Sequence, residues 1–251
     1  MTVAAGRVWI TGASSGLGAA LAREYAAAGA SVLLTARRRE ALDEVAAHCH
    51  GRAATYPADV TVADQLAATL DAIEGDGGLP DLVILNAGTY RPMGLAELDT
   101  DAIAELFAIN VFAVTRAIEL LSPRLRARGH GHIAMTGSVA GDIGLPYAGA
   151  YSASKAALVR FAQALRPELA AAGITLSLIE PGFVRTPLTD RNDFPMPFLI
   201  EAERAARIIR HGLERGRFRI RFPLRMSLAM RLFAALPEPL SYPLRRRMLR
   251  P

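Results

Sequence analysis

The sequence predicts a single-domain, doubly wound α/β fold: a mainly parallel sheet with helices on both faces. Three observations carry this prediction. Short apolar runs alternate with segments of helical period along most of the 251 residues, giving six or seven strands. The first run, Arg7 to Thr11, ends in Thr11-Gly-Ala-Ser-Ser-Gly-Leu-Gly18, a glycine-rich turn that opens a helix. The most chemically suggestive stretches (Gly12 to Gly18, Asn86 to Gly88, Ser138, and Pro181-Gly182) all fall just after strands. In an open parallel sheet, that is the edge where ligands bind.

The elements follow in order. After the strand at 7–11, a helix from Ala19 to Ala28 stops at Gly29, and Ser31 to Ala36 is a second apolar strand. This β-loop-α-β unit implies a parallel pair. Its loop lets backbone N–H groups and a helix N-terminus approach a pyrophosphate, so Gly12, Ser14, Ser15, Gly16, Leu17 and Gly18 are cofactor-binding candidates in a Rossmann-type unit. At the end of the second strand an Asp or Glu would bond ribose hydroxyls, whereas an Arg accommodates a 2′-phosphate. The chain reads Thr35-Ala-Arg37-Arg-Arg39 with no acid until Glu40, so Arg37 favours NADP(H), with NAD(H) as the alternative. Arg38 and Arg39 also read as a solvated helix start.

A helix at 40–48 and a strand from Ala53 to Tyr56 lead to Asp59-Val60, where Asp59 either caps the next helix or touches an adenine. A helix at 62–74 and a turn at Gly75 to Gly78 precede the strand Asp81 to Leu85, which runs into Asn86-Ala87-Gly88. One long helix, 100–127, carries Asn110 in mid-run. The strand Gly131 to Thr136 is followed by Gly137-Ser138, and a helix at 150–172 by the strand Ile174 to Ile179 and Pro181-Gly182. A helix at 201–214 and a strand from Arg217 to Phe222 close the pattern.

Tyr151-Ser-Ala-Ser-Lys155 begins the helix at 150–172. Tyr151 and Lys155 are four apart and share a helical face. An ammonium near a phenol favours the phenolate, which predicts a lowered Tyr151 pKa and a group able to exchange protons near neutral pH. Lys155 is the only lysine against 28 arginines, and the two cations are not interchangeable. Taken alone, the pair also fits an ordinary surface lysine behind a half-buried tyrosine; the surrounding motifs decide.

Together these motifs resemble the short-chain dehydrogenase/reductase family over roughly residues 7–187. Thr11-Gly12-x-x-x-Gly16-x-Gly18 is similar to the family's cofactor loop and Asn86-Ala87-Gly88 to its strand-four motif. Ser138, followed thirteen positions later by Tyr151-x-x-x-Lys155, is similar to its active-site stretch, with Gly137 in place of a frequent Ser. Asn110 matches a helix-borne asparagine, and Pro181-Gly182-x-x-x-Thr186 the segment at the nicotinamide end. The resemblance implies that Tyr151 exchanges a proton with a carbonyl or alcohol oxygen and that Lys155 lowers the Tyr151 pKa and bonds the nicotinamide ribose. It further implies that Ser138 holds the substrate oxygen, that Asn110 holds a water on the proton path, and that Thr186 and the Val184 backbone hold the carboxamide. It implies cofactor contacts at Val60 and Asp59, no metal, a small carbonyl or alcohol substrate, and a homodimer or homotetramer.

Composition bounds the rest. Hydrophobic residues are 51% and charged residues 21%, an ordinary globular balance. Cys49 alone excludes an internal disulfide framework and suits a cytoplasmic setting. The five histidines show no metal-ligand spacing. The net charge of +5 is uneven: residues 215–251 hold ten Arg and one acid, Glu238, for +9, leaving −4 for the remainder. The body therefore offers no nucleic-acid surface. The expected division is a catalytic domain at 1–223, with an apolar lid at about 187–200, and a basic amphipathic tail at 224–251. Met93, Ile143 and Leu145 are candidates for the wall facing the lid. The tail either lies on the inner face of an anionic membrane, docks on a partner subunit or lid, or is solvated. The competing functional reading is a catalytically silent dinucleotide-binding scaffold; the intact Ser138, Tyr151 and Lys155 argue against it.

Overall fold

A computed structural model describes residues 6–190 and 194–249. Strands β1 (Arg7–Thr11), β2 (Ser31–Thr35), β3 (Ala53–Thr55), β4 (Leu82–Leu85), β5 (Gly131–Thr136) and β6 (Ile174–Pro181) belong to one sheet. The strands β7 (Val184–Arg185) and β8 (Ile200–Glu201) pair separately, and β9 (Arg219–Phe222) completes the main sheet. Its order is β3-β2-β1-β4-β5-β6-β9, and every recorded pairing is parallel. The chain winds outward from β1 to β3, then returns to β4 on the other side of β1. That reversal opens a crevice at the carboxyl ends of β1 and β4.

Strand alternation builds two cores. Val8 and Ile10 of β1 face one side, with α1 (Gly16–Ala27), α2 (Arg39–Ala47) and α7 (Ala202–Glu214). Trp9 faces the other, with α3 (Ala63–Gly75), α5 (Ala113–Arg128) and α6 (Gly149–Ala171). Trp9 is fully buried and donates its indole N–H to Thr35 Oγ1 at 2.9 Å, so its polar edge is satisfied.

One element departs from the sequence reading. The helix expected at 100–127 is broken into α4 (Thr100–Phe107), a π-turn at Ala108–Phe112, and α5. The π-turn carries Asn110 inward, where its side chain is fully buried; such bulges re-aim a side chain that a regular helix would leave out of register. The residues after β9 form two helices, α8 (Leu224–Ala235) and α9 (Glu238–Arg246). Of the expected lid, residues 191–193 lie outside the described residues. The flanking parts form a turn after Thr186 and an edge-to-face contact of Phe183 with Phe194, ring centroids 5.9 Å apart.

Candidate active site

A cleft of about 780 Å³ opens along the carboxyl edge of the sheet. Gly12, Ser14, Ser15, Gly16, Leu17 and Gly18 line it at one end, and Ser138, Tyr151 and Lys155 at the other. Asn86, Ala87 and Gly88, after β4, lie between them; Arg37, Asp59 and Val60 line it on the β2–β3 side of the glycine loop, and Pro181, Gly182, Val184 and Thr186 on the β6 side. The catalytic and cofactor-binding candidates read from sequence therefore share one cavity, Asn110 excepted. Met93, Ile143 and Leu145 do not line it; Met93 is buried and donates its N–H to the Tyr147 carbonyl at 2.9 Å.

The glycine loop is tightly framed. Gly12 has φ +68°, and a Cβ there would come within 2.7 Å of the Ala87 backbone. At Gly18 a Cβ would lie 2.2 Å from the Gly12 carbonyl oxygen. These positions need the missing side chain for close backbone approach. Ser15, the N-cap of α1, makes no side-chain cap bond. The first-turn N–H groups of α1 thus have no side-chain acceptor there, and they lie beside the cleft. A diphosphate supplies the acceptors such a terminus lacks. The loop's residues fit a dinucleotide.

Asn86 is a staple. Its side-chain amide donates to the Thr11 and Gly12 carbonyls at 3.2 and 3.4 Å. The Asn86 and Ala87 N–H groups both donate to Thr11 Oγ1, at 3.0 and 3.2 Å. The end of β4 thereby holds the glycine loop in place. Asp59 likewise bonds its own neighbourhood. Its carboxylate accepts from the Thr61 N–H at 2.9 Å and the Thr61 hydroxyl at 2.7 Å, leading into α3. Burial pushes this carboxyl up, but the Thr61 bonds and the nearby Arg37 charge outweigh it and hold it below its ordinary value. Arg37 itself is exposed on the cleft and forms no ion pair among the described residues.

At the other end, Lys155 is 4% exposed and donates to the Thr136 carbonyl at 2.9 Å. Burial lowers its pKa to about 8. Its Nζ lies 5.7 Å from the centre of the Tyr151 ring. The Tyr151 phenol sits above its ordinary value, opposite to the direction read from Lys155 alone. Burial is the main cause; a hydrogen bond with Ser138 acts downward and Tyr90 upward. The Ser138 hydroxyl donates weakly to the Pro181 carbonyl at 3.3 Å and accepts from the Ala140 N–H at 3.1 Å.

Asn110 does not reach the cleft with its side chain. Its Oδ1 accepts from the Thr89 N–H at 2.8 Å, and its Nδ2 donates to the Thr89 carbonyl at 3.0 Å and to Ser154 Oγ at 3.1 Å. Those bonds tie the segment after β4 to α6, the helix that carries Tyr151 and Lys155. The three recorded side-chain bonds of Asn110 all go to protein atoms.

Sequence reasoning missed two features. Tyr90 packs edge-on against Tyr151, with centroids 5.0 Å apart. A charge network around buried Glu180 also ties β9 to the turn after Ser138. Glu180, 0% exposed, accepts from Arg219 Nε at 2.6 Å and from Arg221 Nη1 at 3.3 Å. Arg221 also donates to Ser227 Oγ at 2.7 Å and pairs with Asp142, in the short helical turn Val139–Asp142 that follows Ser138. The available signal was Arg219-x-Arg221, two like charges on one face of a strand.

Comparison with known proteins agrees with this geometry. Residues 7–194 match the family model described as short chain dehydrogenase. An uncharacterized oxidoreductase of Myxococcus xanthus is 34% identical over 242 residues, covering 95% of this chain and 96% of that protein. A short chain dehydrogenase from Burkholderia cenocepacia, solved in complex with NADP, superposes with a TM-score of 0.84 at 27% identity over 100% of both chains. A short chain dehydrogenase/reductase from Burkholderia phymatum, solved in complex with NAD, gives a TM-score of 0.84 at 26% identity, over 92% of this chain and 94% of that one. With its seven-stranded parallel sheet, glycine loop and Ser138–Tyr151–Lys155 cluster in one cleft, the chain belongs to the short-chain dehydrogenase/reductase family of oxidoreductases.

Proposed function

We propose that this enzyme uses NADP(H) to interconvert a carbonyl and a secondary alcohol, and that its substrate is apolar. The observation that carries the reaction is the cluster of buried Ser138 and Lys155 with half-buried Tyr151, in one cleft with the glycine loop. Solved relatives are complexes with NADP and with NAD, which supports a nicotinamide dinucleotide. The preference for the phosphorylated form rests on Arg37, an exposed guanidinium with no ion pair among the described residues, beside the end of β2. The apolar substrate rests on Pro187 and Leu188, which line the cleft.

A bound nicotinamide dinucleotide would supply or accept the hydride. Gly12, Ser14, Ser15, Gly16, Leu17 and Gly18 hold the diphosphate; Asp59 and Val60 flank the adenine end; Asn86, Ala87 and Gly88 shape the middle. Pro181, Gly182, Val184 and Thr186 hold the nicotinamide end. In reduction the Tyr151 hydroxyl gives its proton to the substrate oxygen while Ser138 holds that oxygen. The neutral phenol of Tyr151 is the form that donates in reduction, and the same group takes the proton back in oxidation. Lys155 remains an ammonium at neutral pH and stabilises the phenolate that forms. Asn110 acts by clamping Thr89 against α6. Residues 1–223 make the catalytic unit, which works as a homo-oligomer.

The test is turnover of NADPH with a panel of apolar ketones and aldehydes. Tyr151→Phe should lose about 10²–10⁴-fold in kcat while still binding NADPH. A variant that keeps more than about a tenth of wild-type turnover contradicts Tyr151 as the proton donor.

A further inference from the structure

From the exposed face of the two C-terminal helices we infer that α8 and α9 dock on an anionic lipid surface, lying along it with the substrate end of the cleft close by. The inference goes beyond the reaction and does not depend on the choice of cofactor.

Helix α8 is apolar on both sides. Its inner face, with Ser227 and Met230, is buried. Met226 touches Gly182, where a Cβ would lie 3.1 Å from its Cγ, and Ser227 bonds Arg221. That face therefore packs against the cleft-lining segment and the network beside Ser138. The opposite face carries Leu224, Leu228 and Leu232, spaced by four residues and 80%, 60% and 62% exposed. Leucines at that spacing form one continuous stripe. Helix α9 and the turn after it add exposed Leu240, Tyr242, Leu244, Met248 and Leu249. A row of solvent-facing leucines on a packed helix marks an interaction surface.

Charge selects the partner. Arg225 and Arg231 flank the leucine stripe, and Arg246 and Arg247 follow the α9 leucines; none of the four has an acidic partner among the described residues. Residues 224–251 hold six Arg and one acid, Glu238, a net +5, and a second copy would bring the same positive charge to a symmetric contact. An anionic bilayer instead attracts the arginines while its acyl boundary takes the leucines, the arginine stems spanning the two. Among the described residues no helix is long and apolar enough to cross a membrane, so the contact is along the surface.

The test uses the full-length protein and flotation with vesicles of phosphatidylcholine alone or mixed with phosphatidylglycerol. Binding is expected only to the phosphatidylglycerol vesicles, weakening as salt rises. The triple variant Leu224→Glu, Leu228→Glu, Leu232→Glu changes only exposed positions and should lose at least about tenfold in partition. Arg225→Gln and Arg231→Gln should each cost about fivefold. NADPH binding and circular dichroism, measured alongside, should match wild type in all variants. Failure of wild type to bind phosphatidylglycerol vesicles overturns the inference, as does binding that the leucine variant leaves unchanged. So does a fall in mass by light scattering for the leucine variant without any vesicle binding, which would make the stripe a contact between copies.

Discussion

Replacing Lys155 by Met removes an ammonium that burial holds at a pKa of about 8 against an ordinary 10.5. That displacement of about 2.5 pH units corresponds to ~3 kcal/mol of stability forgone at neutral pH. The sign follows from proton binding. Below pH 8 both folded and unfolded forms carry the proton, and the full penalty is present. Between pH 8 and 10.5 the unfolded chain binds more protons, so wild-type stability rises with pH until the penalty is gone. Lys155→Met also deletes the 2.9 Å bond to the Thr136 carbonyl, which offsets about 1 kcal/mol. The variant should therefore be more stable than wild type by ~2 kcal/mol at pH 7, and lose that advantage as pH approaches 10. Urea unfolding of both proteins at several pH values reads this directly, and the difference between them cancels other titrating groups. The variant should at the same time be inactive, because the lysine is kept at a cost to the fold that only function accounts for. A variant less stable than wild type at pH 7, or a difference independent of pH, refutes the reasoning.

Three further outcomes are expected. His132 is buried and bonded to Ser177 Oγ at 2.8 Å, and burial lowers its pKa from 6.5 to about 4. Wild type should lose up to ~3 kcal/mol as pH falls from 6.5 towards 4, where the unfolded chain binds the extra proton. His132→Gln should lack that loss in the same unfolding series. Gly18→Ala should weaken NADPH binding at least about tenfold with the fold retained, since its Cβ would meet the Gly12 carbonyl at 2.2 Å and force the loop apart; fluorescence titration checks it. Arg221→Met leaves half-buried Asp142 without its principal partner and takes one of two arginines from buried Glu180, and should cost ~3 kcal/mol in thermal or urea unfolding.

The fold was readable because a parallel sheet buried on both faces leaves uninterrupted apolar runs such as Leu82-Val-Ile-Leu85, bounded by glycine, proline and asparagine. The cleft was readable because its residues follow those runs. What sequence could not supply was long-range contact. The π-turn at Asn110 is set by Thr89 and Ser154, 21 and 44 positions away, and a helical pattern at 100–127 gives no sign of it. Glu180, Arg221 and Asp142 are brought together only by the pairing of β6 with β9, in which Glu180 stands opposite Arg221. The Tyr151 pKa came out in the other direction because spacing along a helix reports the lysine but not the burial of the phenol. Asn86 and Asp59 were found at the cleft, but their side-chain bonds go to the protein, a distinction that residue type alone does not make.

The most direct test of the functional account is equilibrium binding of NADPH and NADH to wild type and Arg37→Asp, followed by nicotinamide fluorescence. A charge-assisted bond from Arg37 to the 2′-phosphate is worth about 1.5–3 kcal/mol, so wild type should prefer NADPH by about 10–100-fold, and Arg37→Asp should reverse the preference. Equal or tighter binding of NADH by wild type would contradict the phosphate-binding role of Arg37 and turn the search for a substrate towards alcohol oxidation with NAD.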